Sequence, residues 1–323
     1  MSAESIIIIF ILITFVFLLS GIPVAFVLAS TSLIFASLGI LFGFFDYSFL
    51  LAIPNRIYGI MTNQNLLAVP LFIFMGLILE KTKIAENLLT SMNIFYKNTS
   101  GGFAISVVIV GALMAASTGI VGASVVTLGL LSLPVMIKNG YPSSIACGTI
   151  CASGTLGQII PPSLVLILLA DVLSSAYQQA QLNAGIFAPE TVTISDLFAG
   201  AIIPGLLLPI IYILYIKFQK IECSEEYSND EYMQTENLSL YKYFIPPILL
   251  ILIVLGSIIF GIATPSEASA LGATGAFFLA LSQKKISKII IHTTAKETIK
   301  LTSIVFMILI GATFFSLVFR GLD

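Results

Sequence analysis

Two short polar clusters interrupt otherwise apolar sequence, and they are the places where this chain could do chemistry. The first is Ala116-Ser117-Thr118-Gly119 followed by Gly122-Ala123-Ser124, inside the stretch 101–136. The second runs Ala152-Ser153-Gly154-Thr155-Leu156-Gly157-Gln158-Ile159-Ile160-Pro161-Pro162-Ser163. Glycines and adjacent prolines within an apolar run imply backbone that has left the helix. Unwound carbonyls and hydroxyls offer hard oxygen ligands to a small cation, while the N-termini of half-helices present unpaired N–H groups to an anion. Ser117, Thr118, Ser124, Thr127 and Thr155 supply the hydroxyls, and Gly119, Gly122, Gly154 and Gly157 permit the backbone geometry. This is ion-site chemistry that needs no carboxylate. Small residues also serve as helix–helix contacts in membranes, and for any single Ser or Gly that reading is favoured. Both clusters together, the second closed by Pro161-Pro162, favour a site.

Other chemistries find little support. His292 stands alone in a lysine-rich stretch, which leaves most enzymatic mechanisms short of a general base. There is no GxxxxGK[ST] phosphate loop, so this chain by itself does not hydrolyse ATP. Cys147, Cys151 and Cys223 match no zinc, haem or disulfide pattern. Cys147 and Cys151, four apart on one helix face, read as small packing residues. The chain is therefore expected not to be an enzyme and to need no cofactor.

The elements that must position these clusters follow from composition. Of 323 residues, 58% are apolar and 9% charged, against about 25% charged in a soluble domain. With 14 Lys+Arg and 16 Asp+Glu the net charge is −2, so no field exists to hold a nucleic acid. Charge-free runs cover 5–45, 57–79, 98–137, 139–170, 197–216, 243–266, 268–283 and 301–319. A spanning helix needs about 20 apolar residues, and the runs do not alternate as strands would. They read as nine or ten hydrophobic elements of an all-α polytopic membrane protein. The first is a retained span, since its leading residues carry Glu4 and no cation, and a second long run follows at once.

Lys284, Lys285, Lys288, Lys296 and Lys300 face one acid, Glu297, and place that stretch on the cytoplasmic side. The stretch 219–242 reads as an acidic solvated linker dividing the chain into halves. Ile6–Ser20 with Gly21-Ile22 is echoed by Pro247–Phe260 with Gly261-Ile262, an offset of 240 residues, as an inverted repeat would give. Thr264-Pro265-Ser266-Glu267 fits a helix capping box. Asp171 faces either a polar cavity or the interface, and Arg56 and Glu80 bound a membrane-length run as headgroup-level anchors.

Five segments carry a resemblance. Val69-Pro70-Leu71-Phe72-Ile73-Phe74-Met75-Gly76, the Ser117–Ser124 segment, the Gly154–Ser163 segment, Ala199-Gly200-Ala201-Ile202-Ile203-Pro204-Gly205 and Gly261-Ile262-Ala263-Thr264-Pro265-Ser266-Glu267-Ala268 resemble, in order, motifs of the large membrane (permease) subunit of tripartite ATP-independent periplasmic (TRAP) transporters. The resemblance implies an elevator-type transporter with inverted repeats and re-entrant hairpins in the bacterial inner membrane. It implies Na⁺ as coupling ion and an organic acid as substrate, with a small membrane subunit and a periplasmic substrate-binding protein as partners. It makes 117–124 the sodium-binding tip of the first hairpin and 154–163 the broken helix beside it. Ion binding then falls to Ser117, Thr118, Gly119, Gly122, Ser124, Thr155 and Gly157. Substrate binding falls to Thr127, Gly154, Gln158, Pro161, Pro162 and Ser163. Thr118 and Ala123 stand where the family often has Ser.

On this reading 1–100 holds scaffold-like helices, 101–173 the hairpin and broken helix of the transport domain, 174–195 a polar insertion, 196–218 a membrane helix, 219–242 the linker, and 243–323 the start of a second repeat. The repeat offset places a second hairpin past Asp323, so a C-terminally truncated chain is expected. Two other functions fit the same residues: a Na⁺/anion symporter of another elevator family that uses no binding protein, and a structural or assembly membrane subunit without transport.

Overall fold

The computed structural model describes residues 3–82, 89, 92, 96, 99, 101–119, 121–219 and 240–322. The acidic linker at 219–242, apart from its ends, lies outside the described residues. Twelve α-helices are described: α1 (Ala3–Leu18), α2 (Val24–Phe42), α3 (Ile53–Thr62), α4 (Ala68–Lys81), α5 (Gly102–Thr118), α6 (Val121–Lys138), α7 (Ser143–Thr155), α8 (Leu164–Asn183), α9 (Ile194–Phe218), α10 (Leu240–Ile259), α11 (Pro265–Ser282) and α12 (Lys288–Gly321). No strand occurs among the described residues. Four of these helices, α2, α6, α9 and α12, are long and apolar enough to cross a membrane, and shorter apolar helices occupy Ser5–Leu18, Gly102–Met114 and Ile245–Ile259. Two long charge-free runs are cut where the clusters predicted: 98–137 becomes α5 and α6 parted at Gly119, and 139–170 becomes α7, a broken segment and the start of α8. The polar insertion begins inside α8, which continues to Asn183.

The chain forms two compact units, one made of residues 1–64 and 299–323, the other of 65–298. In the first, Phe10 is wholly buried and touches Phe35 and Phe315 at ring-centroid distances of 4.9 and 4.8 Å, with Phe45, Leu317 and Val318 closing the cluster. Thr14 and Thr31 share a buried hydroxyl contact of 3.2 Å between α1 and α2. Satisfying each hydroxyl inside the unit avoids the cost of a bare polar group in apolar surroundings. Gly311 brings α12 so close to α2 that a Cβ there would lie 2.5 Å from the carbonyl oxygen of Ala25.

In the second unit α4 is buried on every side: Val69, Phe72, Ile73, Met75, Leu77, Ile78 and Leu79 are all covered, the pattern of a helix at the centre of a bundle. Its neighbour α11 turns a stripe of small residues inward, Ala268, Gly272, Ala276 and Ala280 at four-residue spacing. A Cβ on Gly272 would lie 2.7 Å from Met75 Sδ. Lipid supplies no hydrophobic drive between helices, so close backbone approach through small residues provides the contact. α11 starts with the expected capping box: Thr264 Oγ1 accepts from the Glu267 N–H at 3.3 Å, and Glu267 Oε2 accepts from the Thr264 N–H at 2.8 Å. Pro265 is its first residue. Cys147 and Cys151, expected to be packed, are free thiols on the exposed side of α7; the helix packs through its small residues Ala146, Ser153 and Gly154 instead.

Gly311→Ala is expected to lower stability by about 1–3 kcal/mol, because the new methyl meets backbone that cannot swing aside. Gly256→Ala, whose nearest contact would be the Phe260 ring at 3.9 Å, should leave the midpoint unchanged or slightly raised. Thermal unfolding of the detergent-solubilised protein compares the two; equal effects would contradict the close approach.

Candidate functional site

The two interrupted clusters fold against each other. α5 ends at Thr118, and Gly119 turns the chain with φ +61°, a conformation that side chains on Cβ disfavour. A Cβ at Gly119 would sit 3.2 Å from Leu164 Cγ and 3.6 Å from the Leu164 backbone nitrogen. Leu164 is the first residue of α8, and α6 begins at Val121. One small region thus gathers the C-terminus of α5 and the N-termini of α6 and α8. The first ends in carbonyls and the other two begin in N–H groups that their own helix ladders leave over, so helix-dipole ends of opposite sign lie near one another.

The second cluster is held by glycine as well. A Cβ on Gly154 would lie 2.9 Å from Val125 Cα and 3.0 Å from Val125 N, which presses the end of α7 onto the first turns of α6. A Cβ on Gly111 would lie 2.6 Å from Ser153 Cβ, which brings α5 to the same point. After Thr155 the chain makes a short 3₁₀ turn at Leu156–Gln158 and then leaves helix until Leu164. Pro161 and Pro162 are buried, and the peptide between them is cis. Ser163, fully buried, bridges this break: its hydroxyl donates to the Gln158 carbonyl at 2.7 Å and accepts from the Leu166 N–H at 3.4 Å. Its role is to hold the loop and cap α8. From the other side Gly205 of α9 leaves room for Ile160, 3.3 Å from where its Cβ would stand.

The remaining predicted residues fall into distinct settings. Ser124 is wholly buried on α6 and engaged within the protein. Gly122 faces open space. Thr155 is exposed and donates to the Ala152 carbonyl at 2.8 Å, leaving its oxygen lone pairs available. Gly157 is buried, and Gln158 Oε1 is buried with no hydrogen-bond partner among the described residues. The side chains of Ser117 and Thr118 lie outside the described residues.

Thr127 was grouped with the substrate residues, and its hydroxyl donates to Glu80 Oε1 of α4 at 2.8 Å. Glu80 Oε2 is buried without a partner. The expected headgroup-level anchor is thus a carboxylate turned into the helix packing. Nothing in the spacing of α4 pairs position 80 with position 127; only the packing of α4 beside the hairpin does so. The neighbouring Lys81 points elsewhere, to Glu297 at 2.8 Å.

A family model described as "Tripartite ATP-independent periplasmic transporter, DctM component" matches residues 11–322. The chain belongs to this family. Among curated TRAP permeases it is 31% identical over 214 residues to the C4-dicarboxylate TRAP transporter large permease protein DctM of Pseudomonas aeruginosa, covering 65% of this chain and 45% of that protein. The protein of the same name from Vibrio cholerae is 34% identical over 182 residues, 56% of this chain and 36% of that one. The ectoine TRAP transporter large permease protein TeaC of Halomonas elongata is 26% identical over 253 residues, 76% of this chain and 54% of that one. The chain spans about half the length of the curated relatives it matches. Membership agrees with the apolar helices in making this chain a membrane protein.

Ser163→Ala removes the cap of α8 and the bond across the break, and should cost about 1–2 kcal/mol. Hydrogen exchange at the Leu166 amide is expected to quicken in that variant while amides in the middle of α4 keep their protection. Unchanged exchange at Leu166 would contradict the bridging role.

Proposed function

We propose that this chain is the transport subunit of a Na⁺-coupled, binding-protein-dependent secondary transporter of the bacterial inner membrane, importing an organic anion. The single observation that carries the reading is the meeting of the Gly119 turn with the N-terminus of α8, since it gathers carbonyl-rich and N–H-rich helix ends without a fixed charge. Na⁺ binds through backbone carbonyls and the hydroxyls of Ser117, Thr118, Ser124 and Thr155, with Gly119, Gly122 and Gly157 giving access to the backbone. The substrate carboxylate is received by the N-termini of α6 and α8, with Gln158 contributing a polar side chain and Pro161, Pro162 and Ser163 fixing the loop. Sodium stabilises the turn in the geometry that the anion requires, so each ligand favours the state that binds the other.

Family membership supports the wider machinery. A small membrane subunit accompanies the chain, and a periplasmic substrate-binding protein hands over the anion. Relatives are named for C4-dicarboxylates and ectoine, which supports a small organic solute bearing a carboxylate. Residues 101–173 form the moving transport domain in an elevator-type cycle, with the repeat that begins near 243 as its inverted counterpart.

Thr118→Ala combined with Ser124→Ala, assayed in the assembled transporter with its partner subunits, should raise the sodium concentration for half-maximal uptake about tenfold, the equivalent of ~1.4 kcal/mol. An unchanged sodium dependence in a well-expressed variant would contradict the site assignment.

A further inference from the structure

The polar stretch 174–195 takes no part in the site near Gly119, yet it carries Phe187, at 93% the most exposed large apolar side chain among the described residues. A single exposed apolar residue needs no explanation. This one stands on a built loop, 184–193, between α8 and α9 of the second unit. Gly185 turns the chain with φ +81°, and the Ile186 N–H donates to the Gln181 carbonyl at 2.9 Å. The Gln181 side chain is buried and grips the far side of the loop: its Oε1 accepts from the Glu190 N–H at 2.8 Å, and its Nε2 donates to the Glu190 carbonyl at 3.5 Å. Burying a glutamine is tolerable only because both ends of its amide are bonded, so the clamp fixes the loop that displays Phe187 and the exposed Ile186.

The loop stands in water. The charge-free run 197–216 of α9 is about 30 Å long, the thickness of a hydrocarbon layer, with Asp196 at one end and Lys217 at the other. Residues 184–193 lie beyond the Asp196 end, and the clamp ties them to the half of α8 that carries Ser174, Ser175, Gln178 and Gln179. Ser195 Oγ donates to the Ile258 carbonyl at 3.1 Å, which brings the end of α10 to the same side, followed by exposed Phe260 and Ile262. The fixed charge on this side is of one sign. Glu190, Asp196 and Glu267 are exposed there, and no Lys or Arg occurs at 139–216 or 243–283. Lys217 and Lys284 lie at the opposite ends of α9 and α11, the cytoplasmic side by the positive-inside rule. An exposed aromatic rimmed by charge is the anatomy of a protein interface. Two copies meeting through this face would set acid against acid, whereas a basic partner is complementary.

We propose that the loop 184–193, with the turn 260–262 at the same end, is a docking surface for a soluble protein of the outer compartment that offers an apolar pocket ringed by Lys or Arg. The proposal rests on the transport function given above, in which that protein is the substrate-binding protein. Phe187 fills the pocket, and Glu190 steers the approach.

Uptake by the assembled transporter, measured against the concentration of its substrate-binding protein, tests the surface. Phe187→Ser and Glu190→Lys, the latter at a position whose clamp uses only the backbone, should each raise the half-saturating concentration about tenfold and leave uptake at saturation intact. Phe218→Ser, an equally exposed position at the other end of α9, should leave both unchanged. The chain contains no tryptophan, so Phe187→Trp in the chain alone, reconstituted in vesicles of brominated phosphatidylcholine, reports whether the loop enters lipid; no quenching is expected. Unchanged half-saturation in both loop variants, or quenching by the brominated lipid, overturns the docking surface alone. Uptake by the unaltered transporter that needs no binding protein overturns the transport function and the surface with it.

Discussion

A helix that stops inside a bilayer leaves up to four N–H groups and four carbonyls without water to bond them. Such an end survives only where it is buried in protein or lines a cavity. Three ends are gathered in this way near Gly119, those of α5, α6 and α8, with the end of α7 close by on α6. Glycine is what permits it: at Gly119 because the turn has positive φ, at Gly111 and Gly154 because a methyl would strike a neighbouring helix. The same compactness sets helix-dipole ends of opposite sign side by side, which is the raw material of an uncharged ion site.

The rest of the second unit is arranged to support that gathering. α4, covered on all sides, carries the small-residue stripe of α11 on one flank and Thr127 of α6, through Glu80, on another. A carboxylate with one oxygen bonded and the other buried and unpartnered ties the hairpin arm to the central helix. It is polar glue of the kind that fixes which helix faces which, more than it adds to stability.

Much of this was legible in the sequence. The breaks at Ser117–Gly119 and Gly154–Ser163 were visible because Gly, Ser and paired Pro are poor continuations of an apolar helix. The capping box at Thr264–Glu267 was visible because its chemistry is local. What could not be read were contacts set by packing. The bridge that Ser163 makes between Gln158 and Leu166 is one of them. Glu80 looked like an interfacial anchor and reaches α6. The cysteines of α7 looked like core and lie on its exposed side, since in a membrane protein the outward face of a helix is as apolar as the inward one.

The central claim is that the helix ends gathered near Gly119 bind sodium. Thermal unfolding of the purified full chain, compared in Na⁺ and K⁺ at matched ionic strength, tests it most directly. A site at about ten times its Kd in Na⁺ adds ~1.4 kcal/mol to the folded state, which raises the midpoint by about 3–6 °C for a domain of some 150–250 residues. The account predicts such a rise in Na⁺ alone, growing with the logarithm of the Na⁺ concentration above the Kd. Identical midpoints in the two salts, at every concentration up to the limit of solubility, would contradict it.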